Sequence, residues 1–258
     1  MSRTYVVTGS ASGIGEATAA ILADQGHRVI GVDRHGADVV ADLSTPDGRA
    51  AMVAGVEAAS HGVVDAVIVS AGLSGGQDDP ALIIRVNFFG ALASLRGLRH
   101  LLAASPAPRA VVVASVAVLQ SNVEDPVMLA CLDEDEEAAV AMVAHDERGS
   151  RAYAATKRAI ARWVRRAAPT AEWAGAGIAL NAVGPGLIET PMTDYLLKTD
   201  RRKETIETYP MPLADYGQAD DIAWPLAWLT SAENGFITGQ VLFADGGYDA
   251  LTRGEDVW

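Results

Sequence analysis

Short runs of apolar residues alternate along this chain with alanine-rich stretches, and this alternation constrains the fold more than any other feature. The apolar runs are nearly continuous, which is typical of parallel strands buried on both faces of a sheet. We predict strands at residues 4–8, 28–33, 63–70, 109–115, 178–183 and 240–244. We predict helices at residues 13–25, 46–59, 81–104, 151–168 and 219–230, with Gly26 ending the first. Elements that alternate in this way form an α/β fold, a doubly wound parallel sheet with helices on both faces.

Length and composition favour a single domain over residues 1–258. Half of the 258 residues are hydrophobic, which is enough for one sizeable core, and no repeat or linker divides the chain. Two stretches interrupt the alternation, at 116–149 and 190–217. In the first, Asp133 and Glu136 are expected to form a capping box at the start of a helix. We therefore predict that 116–149 is a partly helical insertion.

Charge and cysteine content narrow the class of protein. The net charge of −13, with no basic block, disfavours binding to nucleic acid or to an anionic membrane. The single cysteine, Cys131, excludes a disulfide within the chain and fits a reducing compartment. We see neither a secretory signal nor an apolar stretch of the roughly 18 residues that span a bilayer. We expect a cytoplasmic protein that binds neither nucleic acid nor membrane.

A glycine-rich turn with the spacing G-x-x-x-G-x-G follows the first predicted strand and leads into the first helix. Such a turn presents backbone N–H groups at a helix N-terminus, where a pyrophosphate binds well. In this interpretation Gly9 permits the tight turn, Gly13 lets the backbone approach the phosphates, and Gly15 lets the helix pack close to the sheet. The candidate cofactor contacts here are Gly9, Ser12, Gly13 and Ile14. The turn predicts a dinucleotide-binding Rossmann fold; a glycine cluster without a ligand is the alternative.

Asp33, at the end of the second predicted strand, bears on which dinucleotide is bound. A carboxylate there accepts hydrogen bonds from the adenosine ribose hydroxyls and repels a 2′-phosphate. Ser12 is neutral and offers no cation to such a phosphate, although Arg34 argues the other way. The alternative for Asp33 is an ordinary acid at a strand end. We predict NAD rather than NADP.

Tyr153 and Lys157 lie four residues apart in a predicted helix, so both side chains point to one face. A free phenol has a pKa of about 10, too high for an efficient base near neutral pH, and a neighbouring ammonium lowers it. Together with the glycine-rich turn, the pair indicates a redox enzyme in which Tyr153 moves a proton. An exposed helical pair is the alternative.

Taken jointly, these motifs resemble those of the classical short-chain dehydrogenase/reductase family over essentially the whole chain. The residues that carry the resemblance are 8–15, Asp42, Leu43, Ser70, Ala71, Gly72, Asn87, Ser115, Tyr153, Lys157 and 185–190. Ser70 departs from the family, in which this motif usually begins with Asn. The resemblance implies that Asp42 and Leu43 lie beside the adenine, and it extends the cofactor site to Ala71 and Gly72.

The resemblance also implies a catalytic tetrad and a nicotinamide-binding segment. The tetrad maps onto Asn87, Ser115, Tyr153 and Lys157. Tyr153 is the implied acid/base, Ser115 positions the substrate oxygen, Asn87 anchors a water, and Lys157 also holds the nicotinamide ribose. The implied nicotinamide contacts are Pro185, Gly186, Ile188 and Thr190, with the Thr190 hydroxyl bonded to the carboxamide. A purely structural role is the alternative for two of these residues. Ser115 could be a strand-end or N-cap serine, and Asn87 could be a helix residue bonded to backbone.

A wide gap points to a narrower group within the family. Ser115 and Tyr153 lie 38 residues apart, and the segment between strand 28–33 and Ser44 is very short. In this the chain resembles the bacterial 3α-hydroxysteroid dehydrogenase/carbonyl reductase type. That resemblance implies a ketone or secondary alcohol substrate: a steroid, a terpenoid, or another alicyclic or aromatic ketone.

Two further expectations concern the interrupting stretches. Residues 190–217 are predicted to form a lid over a hydrophobic substrate, although an amphipathic surface helix is the alternative. Bulk at 116–149 would obstruct the interface that helices beside it commonly form in this fold. We therefore expect a homodimer built on residues 219–248 rather than a tetramer.

Other functions fit the sequence less well. A catalytically silent NAD-binding regulatory or scaffold protein would not need Ser115, Tyr153 and Lys157 together. A dehydratase or epimerase would need a further sugar-nucleotide domain. A zinc alcohol dehydrogenase is disfavoured because one cysteine and five scattered histidines supply no recognisable metal site.

Overall fold

A seven-stranded parallel sheet forms the centre of the protein in the computed structural model, which describes residues 2–146, 149–200 and 202–255. The strands are β1 (Thr4–Thr8), β2 (Arg28–Asp33), β3 (Val39–Val40), β4 (Ala66–Val69), β5 (Arg109–Val113), β6 (Ala179–Pro185), β7 (Ile188–Glu189), β8 (Gly217–Gln218) and β9 (Val241–Ala244). The main sheet has the order β3-β2-β1-β4-β5-β6-β9, and β7 pairs with β8 separately. The predicted doubly wound α/β fold is confirmed.

Helices cover both faces of this sheet. They are α1 (Gly13–Asp24), α2 (Pro46–Ser60), α3 (Pro80–Ile84), α4 (Ala91–Gly97), α5 (Arg99–Leu102), α6 (Pro126–Leu132), α7 (Glu136–Ala141), α8 (Ser150–Ala167), α9 (Asp194–Leu197), α10 (Arg202–Thr208), α11 (Ala219–Leu229) and α12 (Tyr248–Arg253). A π-helical segment spans Arg85–Gly90, and 3₁₀ turns span Val116–Leu119 and Ala174–Ala176. Helices α1 and α11 pack against each other on one face, while α2, α4 and α8 contribute to the apolar cluster on the other.

The strand side chains explain this layering. In β1, Tyr5 and Val7 belong to the cluster under α1 and α11, whereas Val6 belongs to the opposite cluster. All three are almost fully buried, so the strand needs apolar residues at successive positions. This is why the parallel strands appear in the sequence as continuous apolar runs.

Strand order reverses at β1, which pairs with β2 on one side and β4 on the other. The connections that follow β1 and β4 therefore leave the carboxyl edge of the sheet in opposite directions. In open α/β sheets the crevice at such a point is where ligands bind. The glycine-rich turn follows β1 directly and lies at this crevice.

All six predicted strands are present, but some boundaries differ. Strand β4 begins at Ala66 rather than at residue 63, and the Asp65 side chain just before it accepts a hydrogen bond from the Thr4 N–H. The helix predicted at 81–104 is broken into α3, the π-helical segment, α4 and α5. Helix α1 ends before Gly26, whose φ of +80° explains the stop.

The insertion at 116–149 is helical over much of its described part, as predicted. Helix α6 packs on α8, and α7 packs on α6 and α3. The predicted capping box is wrong: α7 begins at Glu136 and is capped by Asp135, which accepts from the Ala138 N–H, while Asp133 ends α6. Arg49 of α2 holds the insertion through a two-point ion pair with Glu136 (2.6 and 3.0 Å).

One helical run corrects the expectation that no apolar stretch could cross a bilayer. Pro80–Leu102 has 23 residues and a mean hydropathy of 1.4, so it passes that test by length and composition. However, 61% of its most apolar window is buried inside the protein, which is the behaviour of a core helix. Burial in the fold accounts for its apolar character.

Candidate active site

Two adjoining cavities open where the strand order reverses, at the carboxyl ends of the strands. The first, here called the cleft, has a volume of about 250 Å³ and runs past the ends of β1, β2, β4, β5 and β6. The second, here called the chamber, has a volume of about 440 Å³ and lies between the 3₁₀ turn Val116–Leu119 and α10. The two cavities share the lining residues Ser115, Tyr153, Gly186, Met192 and Thr193.

The structure brings nearly all of the predicted site residues to the wall of the cleft. Those lining it are Gly9, Ser12, Gly13, Ile14, Asp33, Asp42, Leu43, Ala71, Gly72, Ser115, Tyr153, Lys157, Pro185, Gly186, Ile188 and Thr190. Asn87 is the exception and lies behind Gly72.

The glycine-rich turn leaves no room for side chains at two positions. Gly9 has a φ of +73°, and a Cβ there would lie 2.8 Å from the backbone of Ala71. A Cβ on Gly15 would lie 2.0 Å from the carbonyl oxygen of Gly9. Gly15 therefore lets the helix pack close to the turn, whereas the sequence predicted close packing on the sheet. Helix α1 starts at Gly13, on the cleft wall, so its unpaired first-turn N–H groups suit a pyrophosphate.

Two carboxylates lie at the far end of the cleft. Asp33 accepts hydrogen bonds from the Ala11 N–H (3.1 Å) and the Arg34 N–H (2.7 Å), which orient it beside the glycine-rich turn. Asp42 accepts from the Ser44 N–H (2.9 Å), and hydrogen bonds from Ser44 hold the pKa of Asp42 below its usual value. This end of the cleft is suited to neutral hydroxyl donors.

Gly72 is the point at which three elements of the site meet. A Cβ on Gly72 would lie 3.3 Å from Asn87 Oδ1 and 3.6 Å from Lys157 Nζ. The preceding residue, Ala71, donates its N–H to the Thr8 hydroxyl at 3.2 Å. The end of β4 is therefore held between β1, the π-helical segment and α8.

The Asn87 side chain is hydrogen-bonded to backbone, which was the alternative to its catalytic role. Its Nδ2 donates to the Leu73 carbonyl (2.9 Å), and its Oδ1 accepts from the Leu73 N–H (2.7 Å). It is buried and does not line the cleft. The side chain thus fixes the loop after β4, and its role in anchoring a water stays a prediction.

Ser115 is an N-cap residue and also lies on the wall of the candidate active site. Its Oγ accepts from the Ala117 N–H (3.1 Å), so it caps the 3₁₀ turn that follows β5. It is also buried on the wall shared by the two cavities. A hydroxyl that accepts one hydrogen bond can still donate its own proton, so the cap leaves Ser115 able to donate to a substrate oxygen.

Tyr153 and Lys157 share one face of α8. Tyr153 reaches both cavities, and Lys157 Nζ lies 5.8 Å from the centre of its ring. Lys157 is buried and donates to the Val113 carbonyl at 2.9 Å. Burial lowers the pKa of Lys157 to about 8. An ammonium thus lies close to the phenol while being poorly hydrated itself.

The segment after β6 closes the other side of the cleft. A Cβ on Gly186 would lie 2.6 Å from Met211 Sδ, so the backbone and the 190–217 segment touch there. The Thr190 N–H donates to Thr193 Oγ1 (3.0 Å), and Thr193 in turn donates to the Ile188 carbonyl (2.5 Å). Thr193 lines both cavities and was not predicted, because it lies beyond the 185–190 motif that identifies Thr190.

The 190–217 segment forms one wall of the chamber. Tyr209, just after α10, donates its hydroxyl to Gln120 Oε1 at 3.1 Å and packs beside Tyr248. Its apolar residues Leu197 and Met211 are buried in a small cluster with Val116. Among the described residues that line the chamber, Glu204 is the only charged one. The contact between Gln120 and Tyr209 was not predicted from the sequence, because it joins segments 89 residues apart.

The described part of the chain contains no cluster of side chains that could bind a metal ion. Within residues 2–146, 149–200 and 202–255, no three His, Cys, Asp or Glu side chains come together as a metal site.

Comparison with known proteins agrees with this geometry. A family model for short chain dehydrogenases matches residues 3–127, and one described as enoyl-(acyl carrier protein) reductase matches 138–249. A 3-alpha-hydroxysteroid dehydrogenase/carbonyl reductase from Comamonas testosteroni is 34% identical, over 96% of this chain and 97% of its own.

Two solved structures extend the comparison. The 3-alpha-hydroxysteroid dehydrogenase from Pseudomonas sp. B-0831, complexed with NADH, is 39% identical with a TM-score of 0.93, over 98% of this chain and all of the other. A protein from Beutenbergia cavernae, described as an NAD(P) dependent gluconate 5-dehydrogenase with bound NADP at low occupancy, is 28% identical with a TM-score of 0.76, over 96% and 97%. The chain belongs to the short-chain dehydrogenase/reductase family and is similar over its whole length to the bacterial 3α-hydroxysteroid dehydrogenase/carbonyl reductase type.

Proposed function

We propose that this protein is an NAD(H)-dependent oxidoreductase that interconverts a secondary alcohol and a ketone. The substrate is a hydrophobic alicyclic, steroid, terpenoid or aromatic compound. One observation carries the proposal: Tyr153 and Ser115 lie on the wall shared by the cleft and the chamber, with Lys157 buried beside Tyr153. A cofactor in the cleft and a substrate in the chamber would both reach the same hydroxyl groups.

The site residues divide the work as follows. When bound, the nicotinamide supplies or accepts the hydride. Tyr153 gives its proton to the carbonyl oxygen during reduction and takes a proton from the alcohol during oxidation. Ser115 donates a hydrogen bond to the same oxygen. Lys157 is mainly cationic at neutral pH, given a pKa of about 8, so its charge favours the Tyr153 phenolate.

In the cleft, backbone groups as well as side chains would hold the cofactor. The first-turn N–H groups of α1 would hold the pyrophosphate, and Asp33 would accept from the adenosine ribose. Lys157 would hold the nicotinamide ribose, and Thr190 the carboxamide. The tight space at Gly9 and Gly15 supports this assignment, because a side chain at either position would clash with backbone and displace the glycine-rich turn.

The preference for NAD rests on charge at the end of the cleft. Asp33 and Asp42 are both there, and a 2′-phosphate beside them would be repelled. Arg34 lines the same end and offsets part of this repulsion. We expect kcat/KM to be higher with NADH than with NADPH. A higher value with NADPH would overturn the cofactor assignment.

The substrate class is supported by the apolar residues of the chamber wall and by the named relatives. Val116, Leu187 and Leu196 are three of these apolar residues. Steroid, monoterpenoid and aryl ketones should therefore be reduced, which a loss of NADH absorbance at 340 nm would report. If NADH binds but no ketone in the panel is turned over, the alternative of a silent NAD-binding regulatory or scaffold protein is favoured.

We propose that residues 190–217 act as a lid over the chamber. The hydrogen bond from Tyr209 to Gln120 and the buried Leu197 and Met211 support a closed position. Tyr209→Phe removes this bond and should raise the KM for the ketone more than it changes the KM for NADH. Equal effects on both constants would argue for a surface helix instead.

An exposed apolar face supports a homodimer rather than a tetramer. On α11, Trp224 and Trp228 are 54% and 51% exposed, and Leu242 is 42% exposed on the edge strand β9. When a second copy of the chain covers this patch, apolar surface is removed from water, which favours association. Light scattering should give twice the chain mass, and Trp224→Glu with Trp228→Glu should give monomers. A tetramer in the unmodified protein would contradict the proposal.

We propose a cytoplasmic location, because a single free cysteine and no disulfide framework fit a reducing compartment. Cys131 is buried, and burial raises its pKa to about 12, so it is unreactive as a thiolate. Fractionation of the host cell should recover the protein with cytoplasmic markers. Recovery with the membrane or secreted fractions would refute this location.

A further inference from the structure

We propose that Arg158 is a positioning residue for the substrate wall. By bonding two backbone carbonyls, it fixes the turn that carries Ser115 and Gln120 to the helix that carries Tyr153. The inference rests on the proposed function, because the position of this turn matters to catalysis only if the chamber receives the substrate.

The geometry of Arg158 supports this assignment. Its Nη1 donates to the carbonyls of Val118 and Ser121, each at 2.7 Å. The two acceptors flank Gln120 in sequence, so one cation holds the end of the turn from both sides. Arg158 follows Lys157 directly in α8, and it is half-buried. A hydrogen bond from a buried or half-buried guanidinium to a carbonyl is stronger than the same hydrogen bond in water.

Apart from the burial of Val116, Ala117 and Val118 and the Ser115 cap, the turn has few hydrogen bonds of its own. Its own backbone bonds run from the Val118 N–H to the Ser115 carbonyl (3.2 Å) and from the Gln120 N–H to the Ala117 carbonyl (3.0 Å). A 3₁₀ turn of four residues has poor hydrogen-bond geometry and is marginal alone. Packing positions the start of the turn, and the hydrogen bonds from Arg158 add an anchor at its end.

Both ends of this short turn face the chamber. Ser115 starts the turn and lines both cavities, while Val116, Ala117 and Gln120 line the chamber. Gln120 also accepts the Tyr209 hydroxyl from the 190–217 segment. Arg158 thus connects α8 to Ser115, which is proposed to hydrogen-bond the substrate oxygen, and through Gln120 to the chamber wall and the lid.

The chain offers a matched control in Arg162, one turn further along α8. Its Nη1 donates to the Val123 carbonyl at 3.1 Å and lies 3.5 Å from Met128 Sδ. Neither Val123 nor Met128 lines the cleft or the chamber. Arg162→Met therefore removes an arginine that tethers the same insertion without touching the substrate wall.

The kinetic test compares Arg158→Met with Arg162→Met at a temperature well below both melting points. We expect Arg158→Met to lower kcat/KM for a ketone by about 10- to 100-fold, as small misplacements of reacting groups do. The dissociation constant for NADH should stay within about twofold of wild type in both variants. A purely structural role would lower Tm alike in the two variants and leave kinetics unchanged. Wild-type kcat and KM in folded Arg158→Met would overturn the proposal.

A second measurement does not depend on turnover. Hydrogen exchange of the Val118 and Gln120 amides should be about tenfold or more faster in Arg158→Met than in wild type or Arg162→Met, because local opening becomes easier. Unchanged exchange at these two amides would overturn the positioning role. If wild type reduces no ketone, the proposed function fails, and the exchange result still decides whether Arg158 fixes the turn.

Discussion

Replacing Lys157 by methionine is expected to stabilise the protein while removing most of its activity. Lys157 is buried, and burial lowers its pKa from 10.5 to about 8. A pKa depressed in the folded state measures the free energy lost when an ammonium is held away from water. Methionine has a similar length and no charge, so it avoids this loss.

The size of the effect follows from the pKa. A fall from 10.5 to about 8 corresponds to about 3 kcal/mol, since each pH unit is worth about 1.4 kcal/mol. The variant also leaves the Val113 carbonyl without its donor, which costs about 1 kcal/mol. The free energy of unfolding at pH 7 should therefore be about 2 kcal/mol higher in Lys157→Met than in wild type.

The sign of the pH dependence is also determined. Between about pH 8 and 10.5 the unfolded chain keeps the Lys157 proton and the folded chain releases it, so wild-type stability gains from rising pH. The advantage of the variant should disappear over this window. Urea unfolding of both proteins at pH 7 and pH 10.5 measures the difference. A variant less stable than wild type at pH 7, or a difference that does not change with pH, would refute the reasoning.

The same substitution separates stability from catalysis. Without the ammonium, the pKa of Tyr153 should return towards about 10, the ordinary value for a phenol. Alcohol oxidation at pH 7 should then fall by about 100-fold or more, with the rise in kcat/KM moved to higher pH. An unshifted pH profile would show that Lys157 does not tune the phenol.

Three further predictions concern the glycine-rich turn, the cofactor and the insertion. Gly9→Ala should weaken NADH binding by about tenfold or more, because the added Cβ would lie 2.8 Å from the Ala71 backbone. Gly26→Ala is the control, since Gly26 also has a positive φ but has open space around it. Titration with NADH should show unchanged binding in this control. Asp33→Ala should raise the NADPH to NADH ratio of kcat/KM by about tenfold, measured with saturating ketone; an unchanged ratio would exclude Asp33 as the determinant. Glu136→Gln should lower the free energy of unfolding by about 1–3 kcal/mol through its contact with Arg49 while kcat is kept, and equal stability by urea would contradict this.

Much of the fold is predictable because burial on both faces leaves a strong signal. Strands such as β5 are apolar at nearly every position and were found from that alone. Strands β3, β7 and β8 have two residues each, too few to show any period. The acidic run at 133–137 contains several possible caps, and only the backbone shows that Asp135 is the one used.

The candidate site was predictable wherever a residue type is required by its chemistry or by space. The glycines of the turn and the pair Tyr153 and Lys157 are of this kind. Sequence did not show that Asn87 turns to the Leu73 backbone, since an amide bonds backbone and water equally well. Nor did it show Arg158 meeting residues 37 and 40 positions away, because that contact depends on the path of the insertion.

Turnover and cofactor affinity of Tyr153→Phe give the most direct test that this hydroxyl transfers the proton. The substitution removes one oxygen from a side chain that reaches both cavities. We predict that kcat for ketone reduction falls by about 10²- to 10⁴-fold, the usual contribution of a positioned acid, while NADH binds as in wild type by fluorescence titration. A phenylalanine variant that binds NADH and keeps most of the wild-type rate would contradict the mechanism.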